Sequence, residues 1–325
     1  MQKEKRPFGT WDSPLKANLI AQSALRLREP KFIDGNLYWI EGRPKEEGRE
    51  VLLKRSHNGE IKELTSAPFS VKSRVHEYGG GGYLVTSQGI LFCEGSDNRL
   101  YQISPEGTIS PFTAPSAARF ADGTYDPIHN RSVWVCEDHS QQIPSTVPSL
   151  SHTTPSASLE PVNSLVIVSE TGKVTPLVTG SDFFAFPRWN PGTNQLAWIS
   201  WNHPQMPWDG TELWFAEVSA EGTLEKFSKI AGGNDESILQ PEWSTEGKLF
   251  YLSDRSGWWN LYSWHPNETV CELPLPREIG GPAWNFGEKY YAFLSAHEIL
   301  FTANDNNQWR LGKLDLRAKT HTFFF

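Results

Sequence analysis

The chain has 325 residues, 38% of them hydrophobic, with 30 Lys plus Arg against 38 Asp plus Glu and a formal net charge of −8. This reads as one large globular domain or two ordinary ones rather than a disordered chain, and the acidic balance argues against a nucleic-acid backbone as partner. No run of about 18 apolar residues is present, the amino end lacks the apolar core of a secretory signal, and the three cysteines (Cys93, Cys136, Cys271) form neither a zinc knuckle nor a disulfide framework; the expectation is a cytoplasmic chain with no membrane span.

With 26 Gly, 23 Pro and 14 Trp, the composition favours many turns and aromatic-rich strands. The strand-like runs fall into six groups in chain order. Residues 36–40 (NLYWI) and 51–54 (VLLK) form the first; 82–85 (GYLV), 90–93 (ILFC) and 100–103 (LYQI) form the second. The third holds Tyr125-Asp126-Pro127, 133–136 (VWVC) and 164–168 (SLVIV), split by the Ser/Thr/Pro-rich stretch 140–162, which is expected to be a flexible loop.

The last three groups share a Pro-x-Trp step: Pro187-Arg188-Trp189, Pro241-Glu242-Trp243 and Pro282-Ala283-Trp284, spaced by 54 and 41 residues. Each is followed by a glycine turn and an apolar strand ending in serine: 197–200 (AWIS), 250–253 (FYLS) and 292–295 (AFLS). A third strand follows, at 212–215 (ELWF), 260–263 (NLYS) and 309–312 (WRLG), and a weaker fourth, such as 225–230 (EKFSKI), closes the unit. Six units of about four strands each predict an all-β chain folded as a β-propeller, in which radial packing buries both faces of every blade. The blades are placed at about 8–70, 73–114, 117–180, 182–233, 236–276 and 278–325 within a single domain. The Pro-x-Trp tryptophans are read as core. A two-sheet sandwich is the competing architecture, but it would predict no repeat.

Catalytic signatures are absent. The chain contains no Gly-x-Ser-x-Gly elbow, no phosphate loop and no dinucleotide fingerprint. His76-Glu77 and His297-Glu298 lack the second histidine that a zinc hydrolase needs, and no other histidine spacing suggests a metal. Glu137 and Asp138 are neighbours on a strand and face opposite ways. The run Gly79–Gly82 precedes a strand rather than a helix and is read as a turn leading into a blade. No cofactor and no metal are expected.

Three stretches are more specific: Ser73-Arg74-Val75-His76-Glu77-Tyr78-Gly79-Gly80-Gly81, then Trp201-Asn202-His203-Pro204-Gln205-Met206-Pro207-Trp208-Asp209-Gly210-Thr211-Glu212-Leu213-Trp214, then Ser253-Asp254-Arg255-Ser256-Gly257-Trp258-Trp259-Asn260-Leu261-Tyr262. With Phe8-Gly9-Thr10-Trp11-Asp12-Ser13-Pro14, they resemble the N-terminal propeller of the prolyl oligopeptidase family of serine peptidases, nearest to its dipeptidyl-aminopeptidase and acylaminoacyl-peptidase branch. The resemblance runs from about Phe8 to about Leu316. It implies a propeller that covers the active site of an α/β-hydrolase domain and limits access to short peptides. The triad-bearing domain is not recognisable before Phe325, so no catalytic residue can be carried over. The resemblance therefore implies a substrate-gating domain that is inactive alone, partnered by a hydrolase domain in cis or as a split partner. An open ring would also expose apolar blade faces and favour self-association. The alternative is a stand-alone propeller that binds a protein partner.

Within this frame the loop 202–210 is the leading site candidate. It is long for a hairpin and combines Asn202, His203, Trp208 and Asp209 with two prolines. An aromatic ring beside a carboxylate can hold an apolar side chain and a cationic amino end together, which makes Asp209 the expected anchor. The competing reading is that these groups only bind the loop to a neighbouring blade. Arg74 and Glu77 are secondary candidates, with an ion pair bracing a blade as the competing reading. Asp254-Arg255 is read as a structural turn.

Overall fold

Strand-forming runs rich in Val, Ile, Leu and aromatics alternate with Gly and Asx turns along the whole chain, and each run of four closes into one antiparallel sheet. The computed structural model describes residues 5–17, 25–144, 159–266 and 268–324, which divide into two units, residues 1–71 and 72–325. The first unit holds one sheet, β1 (Arg26–Ile33), β2 (Asn36–Arg43), β3 (Arg49–Arg55) and β4 (Ile61–Glu63), paired in that order. Its core is Ile40, Val51 and Leu52.

The second unit holds five more four-stranded sheets. They are β5 (Tyr83–Thr86), β6 (Gly89–Cys93), β7 (Leu100–Ile103) and β8 (Ile109–Pro111); β9 (Ala118–Asp126), β10 (Arg131–Pro144), β11 (Leu159–Val168) and β12 (Val174–Val178); β13 (Phe183–Trp189), β14 (Gln195–Trp201), β15 (Glu212–Val218) and β16 (Leu224–Gly232); β17 (Ile238–Trp243), β18 (Leu249–Ser253), β19 (Asn260–His265) and β20 (Glu268–Leu273); and β21 (Tyr291–Phe293), β22 (Glu298–Asp305), β23 (Gln308–Asp315) and β24 (Thr320–Phe323). Every sheet pairs its strands in sequence order. Six such meanders make this an all-β chain of the β-propeller class. Interior strands are buried on both faces, as blade packing demands: all five residues of β18 and six of seven in β14 are buried, whereas all three residues of β4 are exposed.

The Pro-x-Trp step marks a bulge. In β1, β9, β13 and β17 one residue is left-handed (Glu29, Asp122, Phe186, Gln240, φ 44–52°), and each coincides with a shift of pairing register. The next residue is proline in three cases and glycine in the fourth. A bulge leaves a backbone N–H outside the ladder, and proline has none to leave.

These bulges carry a chain of buried charge from sheet to sheet. Asp122 accepts hydrogen bonds from Phe186 N and Arg188 Nη1, both at 2.9 Å. Arg188 reaches Glu242 at 3.5 Å, and Lys289 Nζ lies 2.8 Å from Glu242 Oε1 as an ion pair without hydrogen-bond geometry. Gln240 next to it accepts from Tyr290 N and donates to Tyr291 O, 2.6 and 2.7 Å, while Tyr291 Oη donates to Gln240 O.

Two expectations need correction. Trp189 is core, but Trp284 is 49% exposed and lies outside any strand; the sixth sheet begins only at Tyr291, so residues 292–293 belong to its first strand rather than its second and 294–295 to the turn that follows. A short β21 anchored through Gln240 replaces the bulged first strand, leaving Pro282-Ala283-Trp284 free of the ladder. The stretch 140–162 is also not all loop: β10 and β11 continue to pair through Gln142↔Pro161, Ile143↔Glu160 and Pro144↔Leu159 after a register shift. The rest of that prediction, at 145–158, lies outside the described residues.

Burial alone would raise the Glu242 carboxyl, but Lys289 and Arg188 together hold it below the usual carboxylate range. A lowered folded value means stability that is present above the unfolded pKa of about 4.3 and lost as pH falls through the folded one. Glu242→Ala leaves Arg188 with Asp122 as its remaining carboxylate and Lys289 without its partner, and is expected to cost about 1–3 kcal/mol at neutral pH. Denaturant titrations at pH 7 and pH 3.5 should show the gap to wild type narrowing in acid; a gap independent of pH would contradict the assignment.

Candidate functional site

The segment Ser73–Gly82 runs ahead of β5 as a strap of left-handed backbone. His76, Glu77, Gly79, Gly80 and Gly81 all have φ between 53° and 91°. The glycines are required by contact as well as by φ: a Cβ at Gly79 would lie 2.2 Å from Ser73 O, at Gly80 2.2 Å from Phe286 O, and at Gly81 2.5 Å from Asp122 N. Phe286 N donates to Gly79 O and Asp122 N to Gly81 O, each at 2.9 Å. The strap thus joins β9 to the segment that precedes β21.

Polar bonds fix the strap's side chains. Ser73 Oγ donates to Phe120 O at 2.7 Å. Arg74 lies 3.6 Å from Glu77, whose carboxylate takes Arg119 Nη1 at 2.6 Å; Arg119 also reaches buried Glu137 at 3.2 Å, and His76 N donates to Glu137. Arg74 and Glu77 therefore sit in a brace between the strap and β9–β10, the arrangement their competing reading described. Arg119 holds the Glu77 carboxyl below its usual range.

The loop 202–211 joins β14 to β15 and is bound at both ends. Asn202 Oδ1 accepts from Asp182 N at 2.7 Å, and His203 N returns a bond to Asp182 Oδ2 at 2.8 Å. Farther along, Met206 N donates to Asp209 Oδ2, Ser237 Oγ to Pro207 O and Gln205 Nε2 to Asn234 O. The loop is preorganised.

Strap and loop enclose a cavity of about 230 Å³. His203 meets Phe183 edge-on at 5.0 Å, and Phe183 stacks on Trp201 at 5.3 Å. At the rim Trp208 packs on Trp284 at 4.6 Å and Trp284 on Tyr78 at 5.5 Å. His76 closes the inner side against Phe183 and Phe286, 5.1 and 5.2 Å. Burial lowers the pKa of His76 against the opposing pull of Glu137 and Asn163, so the ring is neutral at neutral pH; its Nε2 is buried without a hydrogen-bond partner.

Of the residues singled out from sequence, His203 and Trp208 line this cavity. Asn202 borders a second hollow of about 120 Å³, which His203 and Trp201 also line. Asp209, Arg74 and Glu77 line neither. Asp209 is exposed and spends one oxygen on the Met206 amide. A carboxylate near the His203 ring is Glu160, 3.8 Å from its Nε2, while Glu137 and Asp182 take the backbone amides of His76 and His203.

Sequence reading passed over His76, Tyr78, Phe183, Trp201, Trp284 and Phe286. His76 and Tyr78 flank the chosen Glu77, and a left-handed turn decides which of the three faces the cavity. Trp284 was assigned to the core by its repeat. Cys136 offers no nucleophile: burial, with Asp138 nearby, pushes its thiol up to about 12. Asp254 and Arg255 form a brace with Ser237 and Glu236, consistent with a structural turn.

Asn202→Ala should unpair the Asp182 amide and lower stability by about 1 kcal/mol. Asp209→Asn keeps an acceptor for Met206 N and should stay within about 0.5 kcal/mol of wild type. Chemical denaturation of both variants measures this; equal losses would show that the loop is not held by its base.

No protein-family model matches the chain, and no curated protein does. Solved structures do. A Mycobacterium tuberculosis puromycin-hydrolysing peptidase is 31% identical over 99% of this chain and 50% of its own length, with a TM-score of 0.81. A puromycin hydrolase is 27% identical over 99% and 50%, TM-score 0.82, and a variant of puromycin hydrolase complexed with PGG is 28% identical over 98% and 49%, TM-score 0.82. The chain spans about half the length of these relatives. Its structural neighbours are thus the puromycin-hydrolysing peptidases of the prolyl oligopeptidase family, and the part of them that it matches is the N-terminal β-propeller half.

Proposed function

We propose that this chain is the substrate-side propeller of a serine-type peptidase, working with an α/β-hydrolase domain on short peptides or peptide-like amides and carrying no catalytic group of its own. The observation that supports this most is end-to-end similarity, at 27–31% identity, to the propeller half of peptidases that hydrolyse puromycin. The preorganised loop 202–211 and the strap supply the wall that gates the substrate. His203 and Trp208 contact it, and Asn202 holds His203 in place. Dipeptidyl or acylaminoacyl specificity would be set by what Glu160 and His203 present to the amino end. Three free cysteines suit a reducing, cytoplasmic setting.

The 325-residue chain is expected to show no labelling by a fluorophosphonate probe and no cleavage of puromycin or aminoacyl p-nitroanilides. Joined to a triad-bearing hydrolase domain, the protein should cleave them, and Trp208→Ala should lower kcat/KM about tenfold, some 1.4 kcal/mol of transition-state binding. Labelling of the chain alone, or unchanged kinetics in the variant, would overturn the reading.

A further inference from the structure

We infer that the cavity between the strap and the loop 202–211 is a receptor for one uncharged aromatic side chain, and that it is complete within residues 72–325. This deepens the peptidase reading and rests on it for the origin of the ligand, a residue of a bound peptide.

Size comes first. A dry apolar cavity of about 150 Å³ takes up benzene, so about 230 Å³ holds a substituted ring or an indole. Water is a poor occupant. The volume would admit several molecules, each needing two to four polar partners, and the lining offers few. The Thr211 hydroxyl already accepts from Ile238 N at 2.7 Å and donates to Ile238 O at 3.3 Å. His76 Nε2, His203 and Asn285 remain as scattered polar groups, and the wall is otherwise dominated by rings and aliphatic groups.

Charge comes second. None of the lining residues is Asp, Glu, Lys or Arg. A lysine or glutamate side chain entering here would lose its hydration with no charged residue in the lining to replace it, Glu160 reaching the wall only through His203 Nε2 at 3.8 Å, and that loss costs far more than burying a ring gains.

Shape comes third. Six of the lining residues are aromatic: Tyr78 and Trp208 tilt on Trp284 at 5.5 and 4.6 Å, Phe183 stacks on Trp201 at 5.3 Å, and Phe286 packs on His76 at 5.2 Å. Such walls offer both faces and edges, the two contacts that an aromatic guest prefers. Tyr78, Trp284 and Met206 are 62%, 49% and 43% exposed, so the rim itself is apolar and open to an arriving side chain.

Calorimetric titration of the 325-residue chain with N-acetyl-phenylalaninamide and N-acetyl-lysinamide tests this. The phenylalanine probe should bind at least tenfold more tightly than the lysine probe. Trp208→Ala, which removes one wall, and Ala283→Leu, which fills space from a partly exposed position, should each weaken it at least fivefold without changing the circular dichroism spectrum. Equal binding of the two probes, no saturable binding by the folded chain, or variants that bind like wild type would overturn the receptor. Catalysis is not read in this experiment: discrimination between the probes supports the receptor even where the joined enzyme fails to cleave, and cleavage without discrimination overturns the receptor and leaves the peptidase reading intact.

Discussion

The site exists because backbone packs on backbone at Gly79, Gly80 and Gly81. Side chains keep segments of chain apart, and only where they are missing can a peptide plane approach another this closely. At these positions a single added carbon would lie 2.2–2.5 Å from Ser73, Phe286 and Asp122. The closeness draws the strap between β9 and the segment before β21. His76 and Tyr78 are carried on the strap to the rings of Phe286 and Trp284, which belong to sequence two hundred residues away.

The same junction explains why β9, β13 and β17 are bulged rather than flat. A bulge turns a side chain and an amide out of the ladder, and here they are spent on the neighbouring sheet. Asp122 receives both the Phe186 amide and the Arg188 guanidinium, and Gln240 substitutes for a strand partner to Tyr290 and Tyr291. Ion pairs of this kind contribute modestly to net stability because desolvation offsets attraction. Their directional bonds set how one sheet meets the next, and so where the aromatic wall stands.

An uncharged cavity bordered by fully paired ionic braces is a division of labour. Arg74, Glu77, Arg119 and Glu137 neutralise one another beside the strap, while the cavity is left to rings and the neutral imidazole of His76. The lining therefore offers shape and apolar surface. This fits a chain that matches the half of a peptidase lying outside its hydrolase domain.

Much of the architecture is local and was legible in the residues. Strand runs of four to seven residues with turns between them are set by side-chain type and glycine placement, so the sixfold repeat and the propeller class follow from sequence alone. The loop 202–210 also stood out, because an unusual mixture of residues needs no tertiary context to be noticed. Which of those residues line the cavity was not legible. Asp209 and Trp208 are adjacent in the chain, yet one caps its own loop and the other lines the cavity, a difference set by the bond to the Met206 amide. Trp284 shares its step with Trp189 but lies outside the ladder, because β21 is short and pairing decides burial. His76 was hidden by the left-handed turn that aims it. Sequence by itself determined the blades and their order, since these rest on short-range preference; only the tertiary structure decided the site, since it is built where three distant segments meet at a glycine-wide gap.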